Sequence, residues 1–180
     1  APGDETLKFY YDFKSPFTYL ALEPALAVER SHRVSLRFIP RDFEPRIAYG
    51  GELEERQPHD WNKVRYLYAD VRRFANERGI IIRGPQKLFD SRLAMMSGIY
   101  AERHGRFRNY APSVFQRFFK SELDIEDPAA LAVVLREAQL DAEDFARYAA
   151  SDGPGDLERA RAEADRDGVF GVPTIIVSVE

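Results

Sequence analysis

The chain has 180 residues, 44% apolar and 13% aromatic, enough for one domain with a real core or one domain carrying an insertion. Its 26 Lys and Arg against 30 Asp and Glu leave a net charge of −4, which argues against a nucleic-acid or anionic-membrane partner. There is no cysteine. That excludes disulfides, thiolate metal sites and thiol chemistry by the protein itself, and fits a reducing, cytoplasmic setting.

No apolar run approaches the roughly 18–20 residues that cross a bilayer. The opening Ala1-Pro2-Gly3-Asp4-Glu5 has neither a basic n-region nor an apolar h-region, so no export signal is expected.

The first element is a strand. Leu7, Phe9, Tyr11 and Phe13 alternate with Lys8, Tyr10 and Asp12, and the strand stops at Ser15. Pro16 suits the first helical position, because its φ is preset and its missing N–H costs nothing there; Ser15 is then the N-cap. Phe17, Leu20, Pro24 and Ala27/Val28 follow at helical spacing, and Pro24 should kink this helix or mark its true start. The junction sets one hydroxyl among the unpaired N–H groups of a helix start, which is a site for an anion. Taken alone, it is also how an ordinary Ser-Pro cap looks.

Val34, Leu36 and Phe38 alternate with Ser35 and Arg37 in a second strand ending at Pro40. A β-α-β unit of this length implies parallel strands with a right-handed crossover. Residues 41–59 read as a loop that admits short helical turns, with Pro45, Gly50-Gly51 and Pro58 as breakers.

From Asp60 the period is helical: Trp61, Val64, Leu67/Tyr68, Val71 and Phe74/Ala75 form one stripe ending near Gly79. Asp90 caps a helix carrying Leu93, Met96 and Ile99/Tyr100, closed by Gly105. Val114/Phe115 and Phe118/Phe119 mark a short helix. Asp127-Pro128 starts a helix through Ala138, and Asp141 another through Tyr148. Gly153-Pro154-Gly155 is the clearest break, followed by a polar helix at roughly 156–167. Residues 174–179 read as a last strand preceded by Val172-Pro173, a cis candidate. There is no internal repeat. Residues 46–150 thus form a helical block with a linker loop, inserted into an α/β unit of residues 1–45 and 151–180.

The two chain ends together carry a resemblance. Strand-Ser15-Pro16-Phe17-Thr18-helix at one end and Gly171-Val172-Pro173-Thr174 before a strand at the other resemble the thioredoxin fold, in its DsbA-like branch with an inserted all-helical domain. Ser15-Pro16-Phe17-Thr18 falls where the oxidoreductases have Cys-x-x-Cys, and Val172-Pro173 where they have the cis-proline loop. Within that branch, Tyr11-Asp12-Phe13-x-Ser15-Pro16-x-x-Tyr19-Leu20, the series Lys63, Tyr66, Asp70 and Arg73, and Gly168-Val169-Phe170-Gly171-Val172-Pro173-Thr174 are similar to the 2-hydroxychromene-2-carboxylate isomerases and kappa-class glutathione transferases. Glu54, Arg56 and Gln57 stand where the kappa group has an Asn and a Pro-Pro segment.

The resemblance implies glutathione as cofactor. Its thiolate would be held by the Ser15 hydroxyl and the positive end of the helix, its cysteinyl backbone by Val172 beside Pro173, and a carboxylate by Lys63. It implies a cis/trans isomerisation of a small aromatic 2-oxo acid in aromatic catabolism. Phe13, Phe17 and Tyr19 are candidate pocket walls, although such residues are more often core. Lys14 either helps the thiolate or faces water, and Arg83 or Arg92 is a candidate for the substrate carboxylate. A homodimer is implied by some relatives only.

The alternatives are a kappa-like glutathione transferase and a non-enzymatic thioredoxin-like binding module. His32, His59 and His104 have no ligand partners at metal spacing, so no metal site is expected. No His falls beside Ser15, which speaks against a hydrolytic nucleophile.

Overall fold

The computed structural model describes residues 5–42 and 44–177, which form three strands and eight helices. Strand β1 (Glu5–Tyr11) is central in a sheet of order β2-β1-β3. It pairs in parallel with β2 (Val34–Pro40), Leu7 opposite Leu36 and Phe9 opposite Phe38, and antiparallel with β3 (Thr174–Ile176). Helix α1 (Pro16–Ser31) makes the crossover. Then come α2 (Pro45–Tyr49), α3 (Pro58–Glu77), α4 (Arg92–Arg103), α5 (Phe107–Phe119), α6 (Pro128–Glu137), α7 (Ala142–Ala150) and α8 (Gly153–Arg166).

Because successive strand residues face opposite ways, the central strand is buried on both sides. Leu7, Phe9 and Tyr11 belong to a large apolar cluster shared with α1, α4, α5, α6 and α7. Tyr10, on the other face, packs with Ile39, Val169 and Ala164 of α8. The alternation at Tyr10 and Asp12 therefore does not mark a solvated face, since both are fully buried. A central strand covered by helices on both faces has no wet side.

Several boundaries differ from those the sequence suggests. Helix α1 runs unbroken through Pro24. Helix α5 starts at Phe107, seven residues before Val114, and carries Pro112 inside it. Gly153-Pro154-Gly155 is the first turn of α8 and not a loop, with Pro in a position where no N–H is required. Gly153 is buried, and a side chain has no room there, since a Cβ would sit 2.8 Å from Met96 Sδ and 3.1 Å from the Tyr148 carbonyl. On α3 the expected stripe is buried only at Val71 and Ala75, and Phe74 is 47% exposed. The helices from Asp127-Pro128 and Asp141 start as expected, each Asp side chain accepting first-turn amides. Of the expected last strand, Ser178 and Val179 lie outside the described residues, and Val177 follows the end of β3.

The outer edge of β2 is closed by side chains. Glu29 Oε1 accepts from Leu36 N at 2.7 Å, Glu102 Oε1 from Phe38 N at 3.3 Å, and Arg108 donates to Leu36 O at 2.9 Å. Pro40 has no N–H to offer. Such an edge cannot add a foreign strand.

Candidate active site

Strands β1 and β2 are parallel and end together, Tyr11 opposite Pro40, so their carboxyl ends open on one rim of the sheet. The chain leaves β1 through a tight turn. Asp12, fully buried, accepts from Lys14 N through Oδ1 at 2.9 Å, and its carbonyl accepts from Ser15 N at 3.0 Å. This short-range closure, natural to Asp, swings the backbone into α1.

Ser15 then caps α1 as its position predicts. It has extended backbone angles, its Oγ accepts from Thr18 N at 3.1 Å, and its carbonyl accepts from Tyr19 N at 3.1 Å. Its hydroxyl proton is directed across the fold to the carbonyl of Val172, 3.4 Å away. Tertiary structure thus brings Ser15, Val172 and Pro173 together from opposite ends of the chain, and the Val172–Pro173 bond is cis. Ser15 is 7% exposed, while Phe170, two residues before Val172 in the chain, is 99% exposed.

The other sequence candidates are distributed unevenly. Lys63 lies on the exposed side of α3 with Nζ 3.7 Å from Asp60 Oδ1, and among the described residues it makes no hydrogen bond or ion pair with Ser15 or Val172. Phe13 is fully buried, packed edge-on to Tyr11 and tilted against Phe115, and is core. Tyr19 stacks on Phe115 and Phe119, and its partial burial raises the phenol pKa. Phe17 is partly buried against the same cluster.

Lys14 does not simply face water. Its side chain is 11% exposed, with Nζ 3.6 Å from Asp12 Oδ2 and 3.3 Å from Asp42 Oδ1 just past β2. Arg92 grips Asp90, with Nε at 2.9 and 3.1 Å and Nη2 at 2.5 Å; these bonds hold the Asp90 carboxyl below its usual range. Arg83 lines a separate hollow with Phe89 and Phe118.

His59 is beside Asp60, His104 beside the Tyr100 carbonyl and His32 beside Ser31, each at a separate place. Among the described residues no group of three or more His, Asp or Glu could hold a metal ion. Sequence reasoning missed Asp12 and Asp42 as parts of this rim. Asp12 was legible as a turn residue three before Ser15, whereas Asp42 joins only through the parallel pairing.

Chemically, the rim offers a helix N-terminus, a buried hydroxyl with a long and easily exchanged hydrogen bond, and a partnered lysine. It can hold a small anion at the Ser15 hydroxyl.

A protein of Sphingobium xenophagum named 2-hydroxychromene-2-carboxylate isomerase is 28% identical over 178 residues, covering 96% of this chain and 89% of that protein. One of the same name from Pseudomonas putida is 26% identical over 175 residues, covering 96% and 85%. The solved structure of a 2-hydroxychromene-2-carboxylate isomerase superposes with a TM-score of 0.79 at 25% identity, covering 97% of this chain and 86% of that one. The strand-Ser15-helix rim facing a cis-proline loop, and a match of residues 6–180 to the DSBA-like thioredoxin domain, make this chain a member of the DsbA-like thioredoxin family.

Proposed function

We propose that this chain is a glutathione-dependent cis/trans isomerase of the 2-hydroxychromene-2-carboxylate type, acting on a small aromatic 2-oxo acid in aromatic catabolism. The near full-length relatives of that name support the reaction class. The observation that carries the mechanism is the Ser15 hydroxyl, held at the start of a 16-residue helix by the Thr18 amide and bonded only at 3.4 Å to Val172.

A glutathione sulfur at that point would accept the Ser15 hydroxyl's hydrogen bond in place of the Val172 carbonyl. Hydrogen bonding and the helix dipole favour the thiolate over the thiol. Having no cysteine, the chain borrows its nucleophile.

Bound there, glutathione would supply a thiolate able to add reversibly to the conjugated double bond of the substrate, leaving a single bond free to rotate, and to depart again unchanged, so that nothing would be consumed. Covalent addition replaces one high barrier by smaller ones. In this reading Val172, beside Pro173, takes the cysteinyl backbone. Lys63, more than half exposed, turns from Asp60 to a glutathione carboxylate.

The test is calorimetric titration with glutathione together with thiolate absorbance at about 240 nm. Wild type should bind with a thiolate signal and interconvert the benzylidenepyruvate isomers spectrally. Ser15→Ala should remain folded, lose the signal and fall about 100-fold in kcat, the usual cost of one lost donor to a developing anion. Absence of glutathione binding to folded protein would sink this mechanism. Preferential conjugation of an aryl halide would favour a transferase.

A further inference from the structure

A groove of about 700 Å³ opens on the same rim as Ser15. It begins at Pro40 and Asp42, where β2 ends, and is bounded by the starts of α4 and α8. Asp42 is the partner of Lys14, the residue next to Ser15, so one ion pair links the groove to the Ser15 turn. Ligands of α/β sheets gather outside the carboxyl ends of parallel strands, and this volume suits one small molecule.

Pro40, Leu93, Met96, Pro154 and Leu157 give the groove apolar lining. Most of its charges are already neutralised: Asp42 by Lys14, Asp90 by Arg92, and Glu126 by Lys87 at 2.5 Å. Two are not. Arg161 and Glu158 lie one turn apart on α8, both exposed, and neither side chain has a hydrogen bond or ion pair among the described residues. A single uncommitted guanidinium beside an apolar surface complements an aromatic ring bearing one carboxylate, since the planar fork pairs with a carboxylate bidentately.

We infer that this groove is the substrate site and that Arg161, rather than Arg83 or Arg92, anchors the substrate carboxylate. Arg92 is committed to Asp90, and Arg83 lines another hollow. Glu158 opposes an anion in the same place and so weakens binding, leaving room for product release. The inference takes only its substrate class from the function proposed above. The groove geometry is independent of glutathione.

The experiment is calorimetric titration of the full chain with benzylidenepyruvate and with its uncharged methyl ester, in wild type, Arg161→Gln, Arg161→Lys and Glu158→Gln. The acid should bind wild type more tightly than the ester. Arg161→Gln should weaken the acid about tenfold or more and leave the ester unmoved, and Arg161→Lys should fall between. Glu158→Gln should tighten the acid severalfold by removing a like charge.

All three substitutions are on the exposed side of α8, and circular dichroism confirms that the variants are folded. Equal binding of acid and ester, an unchanged affinity in Arg161→Gln, or no binding of the acid to wild type would overturn the inference. Binding through Arg161 without turnover on added glutathione would uphold the groove and defeat the thiol mechanism. Turnover with a KM unmoved in Arg161→Gln would do the reverse.

Discussion

Gly98 lies in α4 with the Tyr11 ring against its backbone, and a Cβ there would overlap the Tyr11 hydroxyl. That hydroxyl is itself buried without a hydrogen-bond partner among the described residues. Two effects compete in Gly98→Ala. Alanine gains up to about 1 kcal/mol in helix propensity, but overpacking a filled core costs about 1–3 kcal/mol. The overlap wins, and the urea midpoint should fall. Tyr11→Phe removes an unpaired buried polar atom, so it should be neutral or stabilising. In the Tyr11→Phe background Gly98→Ala should lose most of its penalty, and that non-additivity is the measurement. Nothing in the local sequence marks Gly98 as special. Ser15 was legible because its role as a cap depends only on the residues beside it.

Pro24 shows how an element can survive a residue that ought to break it. A proline inside a helix leaves the carbonyl four residues earlier without its amide, here that of Leu20. Arg78, just past the end of α3, donates from Nη1 to the Leu20 carbonyl at 2.8 Å. Its guanidinium supplies the hydrogen bond that Pro24 cannot, which is why α1 continues to Ser31. Arg78→Ala should cost about 1–2 kcal/mol, the range for stranding a partly buried carbonyl, and Arg78→Lys should recover part of it. Hydrogen exchange localises the effect, which should appear as faster exchange in the middle of α1 and not in α6 or α7. The same logic explains the error at Gly153-Pro154-Gly155. The composition is that of a turn, but a helix N-terminus uses the same residues. The half-buried start of α3 departs from its stripe because burial depends on which helices reach it.

Across the whole molecule, α8 is fastened to the sheet by charge. Arg37 forks onto Glu163 at 2.7 and 2.8 Å, Lys8 reaches Glu163 at 3.0 Å and Asp167 at 2.7 Å, and the Tyr10 hydroxyl donates to Asp167 at 2.5 Å. Hydrogen bonds from Lys8 and then Tyr10 hold the Asp167 carboxyl below its ordinary 3.8. Arg37 first, and then Lys8 against the opposing effect of burial, hold Glu163 below 4.5. Both native pKa values are depressed, so as the pH falls the unfolded chain takes up protons before the folded one does. The stabilisation is complete above the ordinary carboxylate values and drains away as pH falls through them toward the native ones. Thermal melts from pH 7 to pH 3 should show Tm falling below about pH 4.5. Glu163→Gln with Asp167→Asn should flatten that slope while lowering Tm at neutral pH.

The sequence by itself determined the strand-Ser15-helix junction, the parallel β-α-β unit, the capped starts of α6 and α7, and the Val172-Pro173 approach. Each depends on periodicity or on a cap within a few residues, and such preferences act locally. Tertiary structure alone decided that Tyr10 and Asp12 are buried, that Arg78 completes α1, and that Lys14 is shared between Asp12 and Asp42. It also set the 3.4 Å contact between Ser15 and Val172, 157 positions apart, whose facing the family resemblance implied, and it left Arg161 uncommitted beside an apolar groove. These facts depend on which distant groups packing brings within hydrogen-bonding distance, and no local pattern encodes that meeting.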